Sequence, residues 1–121
     1  MTTLLKSYKM KYRIEVLKTF KKEFKRLSKR YPSLISDLLS LKDDILENPS
    51  IGVDLGGGLR KIRMRISSKG KGKSGGARVI TLNVIIATDL TEINLLYIYD
   101  KSERESISRT EIEEILRKCG F

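Results

Sequence analysis

Leu59–Ser67 (LRKIRMRIS) and Arg78–Thr88 (RVITLNVIIAT) decide the fold of this chain of 121 residues. In the first stretch apolar and basic side chains alternate, which is the period of a strand with one buried and one exposed face. The second stretch is rich in β-branched residues and apolar on both faces, which is typical of a central strand. Between them, residues 67–76 (SSKGKGKSGG) contain only Ser, Gly and Lys and predict a flexible loop.

Towards the C-terminus, the pattern predicts a turn at Asp89–Thr91 and a further strand at Glu92–Asp100. Ser108 and Glu111 have the spacing of a capping box, so a helix is expected to begin there and to end at Gly120. The apolar residues of this helix, which recur at helical spacing, are Ile112, Ile115, Leu116 and Cys119.

Towards the N-terminus, Tyr12–Leu17 alternates as a short strand, and two helices follow it. The first helix has the apolar stripe Leu17, Phe20, Phe24, Leu27 and Tyr31, and the opposite face carries Lys21, Lys22, Lys25, Arg26 and Lys29. The second helix, which ends at Asn48-Pro49, has Leu34, Leu38, Leu41 and Ile45 on one stripe, widened by Ile35, Leu39 and Leu46. Ser50–Gly58, with four glycines, is expected to form a loop.

The predicted order is therefore β-α-α-β-β-β-α, which is α+β in class. We expect an antiparallel sheet with the N-terminal helical hairpin on one face and a C-terminal helix. The length favours a single domain over residues 1–121, with a basic N-terminal extension at 1–11 and the flexible Gly/Lys loop at 67–76.

The composition excludes several classes of function. The chain has no His and one Cys, so Ser-His-Asp and Cys-His catalysis, a disulfide within the chain and a Cys-rich zinc site are all excluded. There is no apolar run of the length of a membrane span, and the first residues lack the apolar stretch of a signal peptide. We therefore expect a soluble protein in the cytoplasm.

The positive charge is concentrated. Residues 59–78 hold eight Lys and Arg and no Asp or Glu, in a chain with 25 basic and 15 acidic residues. Strand alternation places Lys61, Arg63 and Arg65 on one face, beside Arg78 on the next strand. Such a surface suits a polyanion, and nucleic acid is favoured over a solubility device or an acidic protein partner.

Three segments resemble one family of proteins. Gly58–Arg63 (GLRKIR), Gly70–Ile80 (GKGKSGGARVI) and Leu96–Ser108 (LYIYDKSERESIS) are similar to the RelE/ParE toxin superfamily, and most of all to its HigB-like branch. Together with the helical hairpin, the resemblance extends from Tyr12 to Cys119. It implies a RelE-like fold and a type II toxin, which cleaves messenger RNA on the ribosome and is silenced by a cognate antitoxin, a small helix-turn-helix protein.

The chemistry that the resemblance implies needs neither a metal nor a cofactor. The ribose 2′-OH attacks the adjacent phosphate, so the site requires a base, positive charge at the phosphorane and an acid for the leaving oxygen. In a protein without His, lysine is the available base, because neighbouring cations lower the pKa of a lysine.

The resemblance also implies the catalytic residues of the site, which are Lys61, Arg63, Arg78 and Lys101. The basic residues around them form the predicted RNA-binding set: Arg60, Arg65, Lys69, Lys71, Lys73 and Arg104. RelE has a further arginine after the equivalent of Lys101, where this chain has Ser102, and a late tyrosine, whereas no Tyr follows Tyr99 here. Either Glu103, Arg104 or a loop lysine substitutes, or the chemistry is distributed over several cations.

Two other functions remain open at this stage. A ParE-like inhibitor of DNA gyrase would share the fold without cutting phosphodiesters, and a non-catalytic RNA-binding or ribosome-binding module would use the same charge. There are also structural alternatives: the basic strand residues could be a solvated edge, and Arg78 could pair with Asp100 or Glu103.

Overall fold

The computed structural model describes residues 10–70 and 75–121. The strands are β1 (Lys11–Val16), β2 (Val53–Gly56), β3 (Leu59–Met64), β4 (Ala77–Ala87) and β5 (Leu90–Asp100). The helices are α1 (Lys18–Arg30), α2 (Leu34–Glu47) and α3 (Arg109–Lys118), and Ser67–Lys69 form one 3-10 turn. The mixed α+β class and the order of the helices and of the three central strands are as predicted. No helix among the described residues is long and apolar enough to cross a membrane.

One five-stranded sheet has the order β1-β5-β4-β3-β2. β3, β4 and β5 form the predicted antiparallel meander, but β1 pairs with β5 in parallel, with Lys11 opposite Leu90. The sheet is therefore mixed and not wholly antiparallel. Local pattern cannot reveal this pairing, because the two strands lie far apart in sequence. An ion pair of 2.7 Å between Arg13 of β1 and Glu92 of β5 links them.

β2 lies where the glycines predicted only a loop, and that prediction is wrong. The strand is short and irregular, with a bulge between Asp54 and Gly56 opposite β3. The Arg60 guanidinium fixes the residues before this strand, because it donates to the carbonyls of Ser50, Ile51 and Gly52 at 2.5–3.0 Å. A side chain of the neighbouring strand β3 thus holds a segment that its own sequence does not predict as a strand.

The helical hairpin covers one face of the sheet, as expected. Phe20 and Leu27 of α1 are fully buried there. The rest of this core comes from α2, from β3 with the residues after it, and from β4 and β5: Leu34, Leu38, Leu41, Ile45, Ile62, Met64, Ile66, Ala77, Val79, Ile93, Leu95 and Ile98. Ile62 and Met64 of β3 therefore point to the hairpin, and Lys61 and Arg63 point the other way.

The residues that widen the apolar stripe of α2 do not join the core. Ile35, Leu39 and Leu46 are exposed. The main stripe already fills the contact between α2 and the sheet. These three side chains therefore lie on the outer surface of the helix.

α3 covers part of the other face of the sheet. Its capping box forms as predicted: the Glu111 amide donates to Ser108 Oγ at 3.1 Å, and the Ser108 amide donates to the Glu111 carboxylate at 3.2 Å. Ile112 is buried, and Ile115, Leu116 and Cys119 pack on the same cluster, which includes Leu59, Ile80, Leu82, Leu96 and Tyr99. The apolar contact of α3 does not extend to the end of this face, where Arg63 and Arg78 lie.

The segment after β3 begins with an anchored turn. The Ser67 amide and hydroxyl both donate to the Asp37 carboxylate of α2, at 3.0 and 2.5 Å. The first residues of the predicted flexible loop are therefore held in place. Lys71 and Lys73 lie outside the described residues.

A second buried carboxylate holds the other end of this turn. Asp100, at the end of β5, is 0% exposed and accepts hydrogen bonds from Tyr31 at 2.5 Å, Lys69 Nζ at 2.8 Å and Ser102. Burial alone would raise the pKa of Asp100, but these donors outweigh it and hold the pKa well below its usual value. The contact ties the end of α1, the turn and β5 together.

Asp100→Asn should lower the free energy of unfolding by about 3 kcal/mol at neutral pH, since it leaves Lys69 without its buried charge partner. Because the folded pKa of Asp100 is depressed, its contribution is complete above the unfolded pKa of about 4 and is lost as the pH falls below it. Urea unfolding at pH 7 and pH 3 measures both effects.

The variant should consequently lose less stability on acidification than the parent protein. Glu114→Gln, at an exposed position of α3, is the matched control and should change little. Equal stability of the Asp100→Asn and parent proteins at pH 7 would contradict the role given to this carboxylate.

Candidate functional site

Three basic residues of β3 and β4 lie on the sheet face opposite the hairpin: Lys61, Arg63 and Arg78. We call Lys61, Arg63, Arg65 and Arg78 the cationic face. Arg63 and Arg65 are exposed, Lys61 is half-buried, and Arg78 is 7% exposed. Alternation on β3 and the pairing with β4 place Lys61, Arg63 and Arg78 on one side, because directly opposed residues of neighbouring strands point to the same face. Arg65 follows the end of β3 and extends this basic group.

Two arginines stand directly opposite each other at the centre of this face. Arg63 pairs with Arg78 across β3 and β4. Burial, and then the charge of Arg63, lower the pKa of Arg78. Like charges opposed across strands destabilise a sheet, so this pair costs folding free energy. An anion placed between the two guanidinium groups would offset that repulsion.

Tyr99 forms the floor beside Arg78. The two residues are directly opposed across β4 and β5, and the Tyr99 side chain is buried. Its hydroxyl has no hydrogen-bond partner among the described residues. Burial raises the pKa of Tyr99, while the charges of Arg78 and Arg104 act in the opposite direction. Of the two tyrosines of this strand, Tyr99 is therefore a core residue, and the less buried Tyr97 lies nearer the surface.

Arg104 covers Tyr99 from the connection between β5 and α3. Its guanidinium carbon lies 5.7 Å from the centre of the Tyr99 ring, and Nη2 binds both carboxylate oxygens of Glu111 at 2.9 and 2.7 Å. The capping residue of α3 thus also orients a basic side chain next to the site. The Ser-x-x-Glu spacing reveals the cap, but not this second role.

Two lysines bracket the arginine pair along the strands. Lys61 precedes Arg63 by two residues on β3, and Lys101 follows Tyr99 by two residues at the end of β5. β3 and β5 run in the same direction, so the two lysines lie on opposite sides of the pair. Lys101 Nζ donates to the carbonyl of Glu105 at 2.8 Å.

Gly76 lies between Arg65 and Lys101. Its carbonyl accepts the Lys101 amide at 3.1 Å, and a Cβ at this position would clash with the carbonyl oxygen of Met64. Glycine at this position therefore permits the strands to approach closely. It also leaves no side chain in the space between Arg65 and Lys101. This gives a physical reason for one glycine of the Gly-Gly-Ala-Arg motif.

Two residues of the predicted RNA-binding set are placed elsewhere. Arg60 points to the hairpin side and binds the carbonyls before β2. The Lys69 side chain is only 10% exposed, because it pairs with Asp100 and lies 5.3 Å from the centre of the Tyr31 ring. Both have structural partners away from the cationic face, and we leave them out of the proposed site.

The acidic residues considered as partners of Arg78 bind other groups. Glu103 pairs with Arg26 and Arg30 of α1, at 2.8 and 3.2 Å, and Asp100 belongs to the buried contact with Lys69. Glu103 is therefore turned to the hairpin and not to the cationic face. Over residues 10–70 and 75–121, no group of three or more Cys, Asp and Glu side chains is arranged to hold a metal ion.

These features define a small α+β protein with a cationic sheet face, bounded by a C-terminal helix. The family described as RelE toxin of RelE / RelB toxin-antitoxin system matches residues 14–120. The chain belongs to this family and is a toxin of a toxin-antitoxin system, so that a cognate antitoxin is its partner. Membership of the HigB-like branch stays a prediction.

Replacing Arg63 or Arg65 by Ala should weaken binding of a short single-stranded RNA. It should also reduce the salt dependence of that binding by about one unit of slope for each lost phosphate contact. Fluorescence anisotropy at several salt concentrations measures this. Arg117→Ala, at an exposed position of α3, is the charge-matched control. An identical slope for all three variants and the parent would place RNA elsewhere.

Proposed function

We propose that this toxin is a ribosome-dependent endonuclease of messenger RNA and thereby inhibits translation. The observation that best supports this is the opposed pair of Arg63 and Arg78, with one arginine 7% exposed. A gyrase inhibitor needs a binding surface, whereas two arginines forced together on a sheet suit a phosphate whose negative charge increases during reaction.

In the proposed reaction, the ribose 2′-oxygen forms a bond to phosphorus and the bond from phosphorus to the 5′-oxygen breaks. The products are a 2′,3′-cyclic phosphate and a 5′-hydroxyl. Arg78 and Arg63 stabilise the charge on the non-bridging oxygens of the phosphorane. Arg78 is the better placed of the two, because burial removes water that would otherwise screen its charge.

The two bracketing lysines suit the proton transfers. In-line displacement places the attacking and leaving oxygens on opposite sides of phosphorus, and Lys61 and Lys101 lie on opposite sides of the arginine pair. We propose that one lysine accepts the proton of the 2′-OH and the other supplies a proton to the 5′-oxygen. Arg65 and Arg104 are proposed RNA contacts, and so are Lys71 and Lys73, which lie outside the described residues.

The direct test uses purified toxin and ribosomes stalled on a defined message. Cleavage in translated codons that depends on the ribosome and leaves 2′,3′-cyclic phosphate ends is the expected result. A parallel assay measures DNA supercoiling by gyrase. Inhibition of gyrase with intact message would support the ParE-like function, and ribosome binding without cleavage would support a non-catalytic module. Either outcome would overturn the proposal.

Arg78→Ala should reduce the single-turnover cleavage rate about 100-fold or more, because a buried charge directed at the transition state is removed. Arg78→Lys should restore only part of the rate, since lysine keeps the charge and loses the planar fork of donors.

Arg117→Ala again controls for the loss of one positive charge and should cleave at the parental rate. Circular dichroism and thermal unfolding check that each variant is folded. If folded Arg78→Ala cleaves as fast as the parent, Arg78 is not part of the catalytic site.

The antitoxin is the second proposed contact. α1 carries the exposed residues Lys21, Lys22, Lys25, Arg26 and Lys29. Arg26 is held by Glu103 at 2.8 Å, so only the lysines of this stripe are available. We propose that an acidic segment of a small helix-turn-helix antitoxin folds across this helix or the cationic face, with charge complementarity speeding its association.

Reversing Lys22 and Lys29 to Glu distinguishes antitoxin docking on α1 from contact with ribosomal RNA. Loss of binding to the protein encoded by the neighbouring reading frame, with ribosome binding retained, is the expected result. Surface plasmon resonance and ribosome co-sedimentation measure the two interactions. The reverse result would make α1 a ribosome contact. Arg117→Glu and Lys118→Glu, at exposed positions of α3, control for a nonspecific effect of total charge.

A further inference from the structure

The outer surface of α2 presents an apolar stripe to solvent. Ile35, Leu39 and Leu46 are 62%, 57% and 47% exposed. Their spacing places them, with Lys42, within one narrow strip along the helix. The main stripe on the sheet lies on the neighbouring side of the helix, about 100° around, because Leu34, Leu38, Leu41 and Ile45 each come one position before a member of this strip. α2 is therefore apolar on two sides, and only one of them is covered within the described part of the chain.

The charge around this stripe differs from that of the rest of the protein. Between residues 32 and 58, Lys42 is the one basic residue, and the acidic residues Asp43, Asp44 and Glu47 are near it on α2. Lys42, Asp43 and Glu47 form no ion pair with any described residue. The acidic residues near the stripe would repel both an acidic antitoxin segment and RNA. We therefore expect a different partner to cover the stripe.

A second copy of the same helix fits this pattern. When two α2 helices cross in antiparallel orientation at a two-fold axis between Leu39 and Lys42, Ile35 of one copy meets Leu46 of the other. Lys42 then packs its aliphatic stem on the partner's Leu39, one turn from the partner's Asp43. The symmetry forms this lysine–aspartate pair twice, and it places the single basic residue of the surface against a carboxylate.

We infer that α2 is the interface of a homodimer of this chain, formed by the stripe Ile35, Leu39, Lys42 and Leu46. A helix of 14 residues is about 21 Å long, so the interface is smaller than that of a permanent dimer. The cationic face lies on the opposite side of the sheet and stays accessible in both copies. A dimer would then present two such faces and two antitoxin-binding surfaces.

Sedimentation equilibrium of the free toxin over a range of concentrations tests the inference. We expect a reversible dimer with a Kd on the order of tens of micromolar, as for a small interface. Leu39→Asp should raise the Kd at least about tenfold, because it places a charge at the centre of the apolar contact. Ser40→Asp, an exposed position on another side of α2, is the matched control and should leave the Kd unchanged.

A charge exchange tests the antiparallel arrangement. Lys42→Glu should weaken the dimer about tenfold, since two ion pairs are lost and replaced by repulsion. Adding Asp43→Lys to this variant should restore the Kd to within about threefold, because the pair is re-formed with reversed signs. A monomeric parent protein at the highest concentration, or no rescue by the second substitution, would overturn the inference. All of these positions except Lys42 are exposed, and circular dichroism verifies folding.

Discussion

The buried carboxylate of Asp100 is the contact on which the arrangement of the site depends. It joins three elements that are distant in sequence: Tyr31 after α1, Lys69 in the turn after β3, and Ser102 after β5. Asp37 does the same between α2 and Ser67. A buried charge without partners would be very costly, so each carboxylate requires its donors to stay in place. The turn between β3 and β4 is thereby fixed to the hairpin side, while Lys61, Arg63 and Arg78 face the other side.

The pairing of β3 with β4 and of β4 with β5 then determines which side chains meet. Arg63, Arg78 and Tyr99 form one row across three strands, and Lys61, Ile80 and Tyr97 form the next. The first row is basic and the second leads into the apolar contact with α3. The site therefore lies at the boundary between a packed and an open part of one sheet face. Arg78 is buried there, although its neighbour Arg63 remains exposed.

Local pattern was sufficient to predict the elements whose side chains repeat with a clear period. The alternation in β3, the β-branched run of β4 and the Ser108–Glu111 cap all predicted correct elements. The errors fall where a distant partner decides. β2 depends on Arg60, and the parallel pairing of β1 depends on β5. Ile35 and Leu39 are exposed because the sheet covers only the main apolar stripe of α2.

The same distinction applies to the predicted site. Alternation correctly placed Lys61 and Arg63 on one face of β3, because a strand period needs no knowledge of the fold. Composition alone added Arg60 and Lys69, whose side chains have carbonyl and carboxylate partners elsewhere. A count of basic residues does not distinguish a cation that binds substrate from one that satisfies a buried acceptor. To make this distinction, the hydrogen-bond and ion-pair partners of each side chain must be known. For Arg60 and Lys69 these partners lie in other segments of the chain.

The opposed arginines also explain why such a site should favour the transition state over the bound substrate. In the ground state a phosphodiester brings one negative charge to Arg63 and Arg78, which offsets part of their mutual repulsion. The phosphorane of the proposed reaction brings nearly two negative charges to the same pair. The gain in electrostatic stabilisation is larger because Arg78 is buried. Only an interaction that strengthens along the reaction accelerates it. The repulsion that destabilises the free protein is thus the same interaction that would lower the barrier to cleavage.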